Sequence, residues 1–142
     1  MPIEAYLVFD GNCREAVLFY KEVFNTHEPK FMTFGDSPDG PEHMQLPEMK
    51  DLIMHTRLVI NGTTVMFSDN FPGMEFTVGN NITLAYVSDD AEELKAVYSK
   101  LKEGGRVDME LQETFWSKLY GQVTDRFGIQ WQLNYGDGNV EM

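Results

Sequence analysis

The sequence predicts an α+β protein built from two successive βαβββ modules. Three observations predict it. First, the order of elements repeats. An apolar strand segment, an amphipathic helix and three further strand segments occur in residues 1–70 and again in residues 80–136. Second, the punctuation repeats, because a polar cap precedes each helix and a tight glycine turn joins the last two strands of each half. Third, two fixed offsets superimpose the halves. An offset of 77 places Ala5 on Ile82, Phe9 on Tyr86, Asn12 on Asp89 and Phe24 on Leu101, and an offset of 66 places Met66 on Gln132. The chain therefore reads as a single domain of residues 1–142, its modules 1–70 and 80–136 joined by a loop.

Each element has a local justification. Ile3 to Phe9 is aliphatic and aromatic, as a strand requires. Asp10-Gly11-Asn12 breaks it, and Asn12 is placed as an N-cap. Ala16, Val17, Phe19, Tyr20, Val23 and Phe24 then recur at helical spacing, and Asn25 suits the helix end. Phe31 to Phe34 reads as a short strand. Residues 35–51 carry three prolines and two glycines, so they read as a long loop with a helical turn near Glu48. Leu52 to Ile60, the turn Asn61-Gly62 and Thr63 to Ser68 make a hairpin. After a second loop, Asn81 to Val87 is a strand. Ser88-Asp89-Asp90 leads into a helix with Leu94, Val97, Tyr98 and Leu101 on one face, ended by Gly104-Gly105. Val107 to Leu111 is a short strand. The closing hairpin, rich in aromatic residues, turns at Phe127-Gly128.

Composition narrows the function. A net charge of −12 repels phosphate backbones and argues against nucleic acid as a partner. No apolar run approaches the roughly 20 residues of a membrane-spanning helix. The single cysteine, Cys13, excludes an intrachain disulfide and fits a reducing cytoplasm. The start of the chain shows no signal peptide. Cys13 opens the first helix, where a thiol can be activated. The plainer reading is a small structural residue.

Strand parity separates the two faces of each sheet. Counting outwards from Asn61-Gly62 places Ile60 opposite Thr63, Leu58 opposite Val65, Arg57 opposite Met66 and His55 opposite Ser68. Thr56, Leu58, Ile60, Val65 and Phe67 then share an apolar face fit to pack under a helix. His55, Arg57, Met66 and Ser68 share a face of mixed polarity, as a ligand cavity would. By the same count Ile129, Trp131 and Leu133 face the helix, and Gln130, Gln132 and Asn134 face the cavity. A guanidinium on such a face needs an anion, because burying it unpaired costs several kcal/mol. Arg57 can meet that need with a ligand carboxylate or phosphate, with an internal acid, or by reaching solvent at the sheet edge. His55 is either a structural histidine or a base.

The order of elements, the stretch Ala16 to Phe24, Gly104-Gly105 and the turn Asp125-Arg126-Phe127-Gly128 together resemble the vicinal oxygen chelate superfamily, which includes glyoxalases, ring-cleaving dioxygenases and bleomycin-resistance proteins. His55 with Leu58, Phe67-Ser68-Asp69, Phe115-Trp116, Tyr120-Gly121 and Asp125 to Trp131 resemble its PhnB-like branch, often labelled after a demethylubiquinone methyltransferase. Ser117 and Arg126 depart from that branch, where glycine and proline are usual. The resemblance implies a glyoxalase/bleomycin-resistance-like curved mixed sheet around a cavity, a homodimer, and a divalent metal held by the first and last strands of each module. Those positions fall near Ala5, Met66, Ile82 and Gln132. Alanine and isoleucine cannot ligate, a thioether is a poor ligand for hard or borderline metals, and one glutamine is insufficient. His27 and His43 fall outside the expected cavity strands. The expectation is thus no metal, no cofactor and no support for methyl transfer, since no glycine-rich nucleotide loop is visible.

What remains is a metal-free protein that binds a small molecule with an apolar or aromatic body and one anionic group. The expected lining from the first module is Leu7, His55, Arg57, Met66 and Ser68. From the second it is Leu84, Tyr86 and Gln132, with Trp116 and Tyr120 at the rim. The alternatives are an enzyme using His55 as general base with Arg57 as clamp, and a non-catalytic structural dimer.

Overall fold

The computed structural model describes residues 3–36 and 47–136. It divides into two compact units, Met1–Phe76 and Thr77–Met142. Together they hold eight strands in two mixed four-stranded sheets.

In the first unit, β1 (Ala5–Phe9) leads into helix α1 (Cys13–Phe24), a two-residue strand β2 (Met32–Thr33), a short helix α2 (Pro47–Lys50), and the hairpin β3 (Ile53–Ile60) and β4 (Thr63–Asp69). The strand order is β1-β4-β3-β2, with β1 parallel to β4 and the other pairs antiparallel. The hairpin register follows the sequence count, with Arg57 paired to Met66 and Ile60 to Thr63. Asn61 and Gly62 both adopt positive φ, 49° and 85°, the backbone a two-residue hairpin turn requires. Residue spacing on α1 buries Cys13, Ala16, Val17, Tyr20 and Val23. Tyr20 lies 5.8 Å from the Phe67 ring and 6.4 Å from Phe9, so the core joins helix, β4 and β1. At the helix end Asn25 turns left-handed, as a C-cap does.

The second unit repeats the plan with β5 (Leu84–Ser88), α3 (Ala91–Leu101), β6 (Arg106–Gln112), β7 (Tyr120–Thr124) and β8 (Gln130–Tyr135). Its strand order, β5-β8-β7-β6, matches that of the first sheet. Asp90 caps α3, its carboxylate accepting from the N–H groups of Glu92 and Glu93. Leu94, Val97 and Leu101 form the buried stripe of α3. Gly104 ends that helix with φ of 74°, and a Cβ on Gly105 would lie 2.4 Å from the Thr124 carbonyl oxygen, so no other residue fits there. Trp131 is buried on the helix side, as parity requires.

Several sequence expectations shift. β2 is shorter than Phe31 to Phe34, because Phe34 begins a 3-10 turn. β5 starts at Leu84, so Ile82 lies outside any strand and is 78% exposed. Ala5 pairs with Val65 and Leu84 with Trp131, so the sheets equate Ala5 with Leu84 and not with Ile82. Asn12 makes no side-chain cap. Asp69 caps α1 instead. Its Oδ1 accepts from Gly11 N at 3.0 Å and Cys13 N at 2.9 Å, and its Oδ2 accepts from Ile53 N at 2.8 Å. In the second unit the Asp125 Oδ1 accepts from Phe127 N and Ile129 N at 2.9 and 3.1 Å, and Oδ2 from Trp131 Nε1 at 2.9 Å. Each buried carboxylate closes its unit.

Hydrogen bonds to a charged group contribute about 1.5–3 kcal/mol each, and losing a buried partner costs more than losing an exposed one. We expect Asp69→Asn and Asp125→Asn each to lower unfolding free energy by about 2–4 kcal/mol. Urea titration at constant m-value is the check. In Asp125→Asn, the new amide N–H2 facing the indole N–H should also alter tryptophan emission.

Candidate functional site

In the first unit, the sheet face turned away from α1 carries His55, Arg57, Met66 and Ser68, as parity required. The parallel register of β1 adds Tyr6 beside Met66 and Val8 beside Ser68. Leu7 pairs with Phe67 and so belongs to the helix side. Its expected place in the cavity is corrected to Tyr6 and Val8. The His55 ring lies 5.9 Å from that of Tyr6. No hydrogen bond from Ser68 or a carboxylate reaches the imidazole among the described residues, so the orienting partner that a general base requires is missing from them.

His55 and Arg57 also line a groove of about 640 Å3 along the β2–β3 edge. Sequence reasoning missed its other wall, which comes from His27, Lys30, Phe31 and Met32. The signal was the strand-like stretch after α1, whose pairing with β3 brings it alongside. His27 is held in place by two contacts. Its Nε2 accepts from Val59 N at 3.2 Å, so its Nδ1–H donates to the Glu28 carbonyl at 3.0 Å. Thr56 pins the same segment by donating to the Lys30 carbonyl at 2.8 Å. Glu28 pairs with Lys21 at 2.7 Å, and Asp36 accepts from Thr33 N. That backbone bond holds the Asp36 carboxyl below the usual range. Arg57 and Lys30 have no ion pair among the described residues. Arg57 is exposed, so it reaches solvent at the sheet edge. His43 lies outside the described residues.

In the second unit, Leu84 and Tyr86 pair with Trp131 and Leu133, which places both on the helix side. Their expected place in the cavity is corrected by one residue, to Ala85 beside Gln132 and Val87 beside Asn134. Tyr86 is buried and donates to Glu93 on α3. Burial, then the Glu93 contact, pushes its phenol up. Tyr120 lies opposite Asn134 on the face turned from α3. Trp116, 43% exposed, packs edge-on to Tyr120 at 5.3 Å and to Phe115 at 4.8 Å.

The family's metal can be tested against these registers. Ala5 points to the helix side with Val65, and Ile82 is outside the sheet. The residues that do share the open face with Met66 and Gln132 are Tyr6 and Ala85. Among the described residues no three His, Cys, Asp or Glu side chains gather to hold a metal. The donor set does not fit a divalent ion.

Two βαβββ units with the order 1-4-3-2 define a protein of the vicinal oxygen chelate fold. A family model described as 3-demethylubiquinone-9 3-methyltransferase matches residues 2–134, and the chain belongs to that family. Protein YjdN of Escherichia coli is 33% identical, covering 94% of this chain and 95% of that protein. Protein PA1353 of Pseudomonas aeruginosa is 36% identical with a TM-score of 0.82, covering 95% and 97% of the two chains. A putative 3-demethylubiquinone-9 3-methyltransferase, PhnB protein, of Bacillus cereus is 25% identical with a TM-score of 0.74, covering 96% and 100%. Beyond the family, the fosfomycin resistance protein FosX of Listeria monocytogenes shares the fold at 15% identity and a TM-score of 0.63, covering 100% and 98%. Both departures from the branch have structural work. Ser117 Oγ donates to the Leu119 carbonyl at 2.9 Å, and Arg126 Nε to the Glu103 carbonyl at 3.1 Å. No helix among the described residues is long and apolar enough to cross a membrane.

Cys13 is fully buried, and burial pushes its thiol from 9.0 up to about 12, with the Asp69 charge adding to the rise. The thiol is therefore structural and not an activated nucleophile. The raised value favours the neutral folded form, so its contribution is complete below pH 9 and is lost as pH climbs towards 12. Urea unfolding measured across that interval should show stability falling more steeply in the parent chain than in Cys13→Ala. A thiol reagent at neutral pH should react only after unfolding.

Proposed function

We propose that this protein binds a small molecule through an ion pair and apolar contact, without a metal. The observation that carries the reading is the groove of about 640 Å3 lined by Arg57, His55, Phe31 and Met32. Its volume falls within the range of small-molecule sites, roughly 300–1,000 Å3. Its acids are engaged, Glu28 by Lys21 and Asp36 by the Thr33 backbone. Its basic groups, Arg57 and Lys30, remain available among the described residues. A planar guanidinium suits a carboxylate or phosphate in bidentate contact. Phe31, Met32 and the imidazole suit an apolar or aromatic body. The ligand is thus an organic anion.

The family description names a methyltransferase. Methyl transfer gains no support from the β1–α1 turn, where a nucleotide-like cofactor would need a glycine-rich loop. Gly11 is its one glycine, and that N–H is taken by Asp69. A cytoplasmic homodimer completes the proposal, as the family resemblance and the lone cysteine imply.

A thermal-shift screen of aromatic and aliphatic carboxylates and phosphates tests the reading, followed by calorimetry on the hits. We expect organic anions to raise the melting temperature and Arg57→Ala to weaken their binding at least tenfold, about 1.4 kcal/mol. If no anion binds, or Arg57→Ala binds as tightly as the parent chain, the reading is wrong.

A further inference from the structure

In the second unit Gln132, at a position where the superfamily resemblance implies a metal ligand, stands among neutral amides. On the face of this sheet turned from α3, Gln122 pairs with Gln132, Thr124 with Gln130 and Tyr120 with Asn134. Gln122 Nε2 donates to the Tyr120 hydroxyl at 3.1 Å. Gln122, Gln130 and Gln132 line a recess of about 150 Å3 with Thr83 and Asp108. Asp108 is the charged residue of its lining, and its charge is engaged. Its carboxylate accepts from Thr124 Oγ1 at 2.6 Å and from Arg106 Nε at 2.7 Å. These bonds, Thr124 first, hold the Asp108 carboxyl below the usual range, and the paired Arg106 balances it. The recess is therefore polar and close to neutral.

Two residues further along β8, on the same face, Asn134 has a fully buried Oδ1 with no hydrogen-bond partner among the described residues. A buried amide oxygen without a partner is uncommon. At this end of the face stand the Tyr120 and Trp116 rings.

We propose that the amide face of the second unit is a binding site for uncharged polyhydroxyl compounds, namely small polyols and sugars. A hydroxyl both donates and accepts, as does each carboxamide, so one ligand hydroxyl satisfies either end of a glutamine or asparagine. An anion would find no free cation in this lining, since Arg106 beside it is held by Asp108. An apolar ligand would leave the amides without partners. The aromatic rings offer a surface for the C–H face of such a ligand. The inference goes beyond the anion groove and uses none of its residues. It treats the departure from metal ligands as a change of chemistry, from coordination to hydrogen bonding.

The test is a titration of the full 15N-labelled chain with glycerol, xylitol and glucose, read at the side-chain N–H2 resonances. Saturable shifts are expected at Gln122, Gln132 and Asn134, with benzoate and phosphate leaving those resonances in place. Gln132→Leu and Gln122→Leu should each raise the apparent Kd at least tenfold while the backbone spectrum is kept. Arg57→Ala should leave the polyol titration unchanged, which separates this site from the anion groove. Shifts without saturation, shifts with anions alone, an affinity in both leucine variants equal to that of the parent chain, or no response to any polyol (as for a trapped water at Asn134) would each overturn the proposal.

Discussion

Two buried carboxylates close the two units, and the rest of the structure depends on them. Asp69 is 5% exposed and Asp125 3%, depths at which an uncompensated charge would be costly. Each is compensated by three N–H donors. Asp69 gathers the start of α1, the end of β4 and the start of β3 onto one side chain. Asp125 gathers the β7–β8 turn and the Trp131 indole. The Asp69 knot ties the hairpin strands to the start of α1, and the Asp125 knot fixes the turn between the last two strands of the second unit. Once those strands are fixed, alternation decides which side chains line the opposite face.

That opposite face is where this chain parts from the chemistry its fold is known for. The first unit presents His55, Arg57, Tyr6 and Met66, a set suited to an organic anion. The second presents glutamines and Asn134 beside Tyr120. Among the described residues neither set gathers three carboxylate, thiol or imidazole side chains that could hold a divalent ion. In the proposed reading the scaffold is kept and ion pairing and hydrogen bonding take the place of coordination. Such replacement is consistent with a fold whose function resides in grafted side chains.

Legibility in the sequence followed the range of the interaction. The β3–β4 register was readable because Asn61-Gly62 fixes it locally, and it placed His55, Arg57 and Met66 on the correct face. Trp131 was assigned to the core for the same reason. The β1–β4 and β5–β8 pairings are parallel and have no turn to count from. Leu7, Leu84 and Tyr86 were therefore assigned to the wrong face, and a slip of one residue in each case accounts for it. The Asp69 cap was invisible, since its donors lie 56 and 58 residues away in sequence. The groove's second wall was missed because His27 and Lys30 lie on an irregular segment held by side-chain bonds to β3.

The most direct measurement of the metal-free account is a metal titration of the purified chain. Zinc, nickel and manganese would each be added, the chain exchanged into metal-free buffer, and retained metal counted by elemental analysis alongside native mass. The account predicts metal far below one ion per chain and an unchanged melting temperature. One tightly retained divalent ion per chain, with a raised melting temperature, would contradict it.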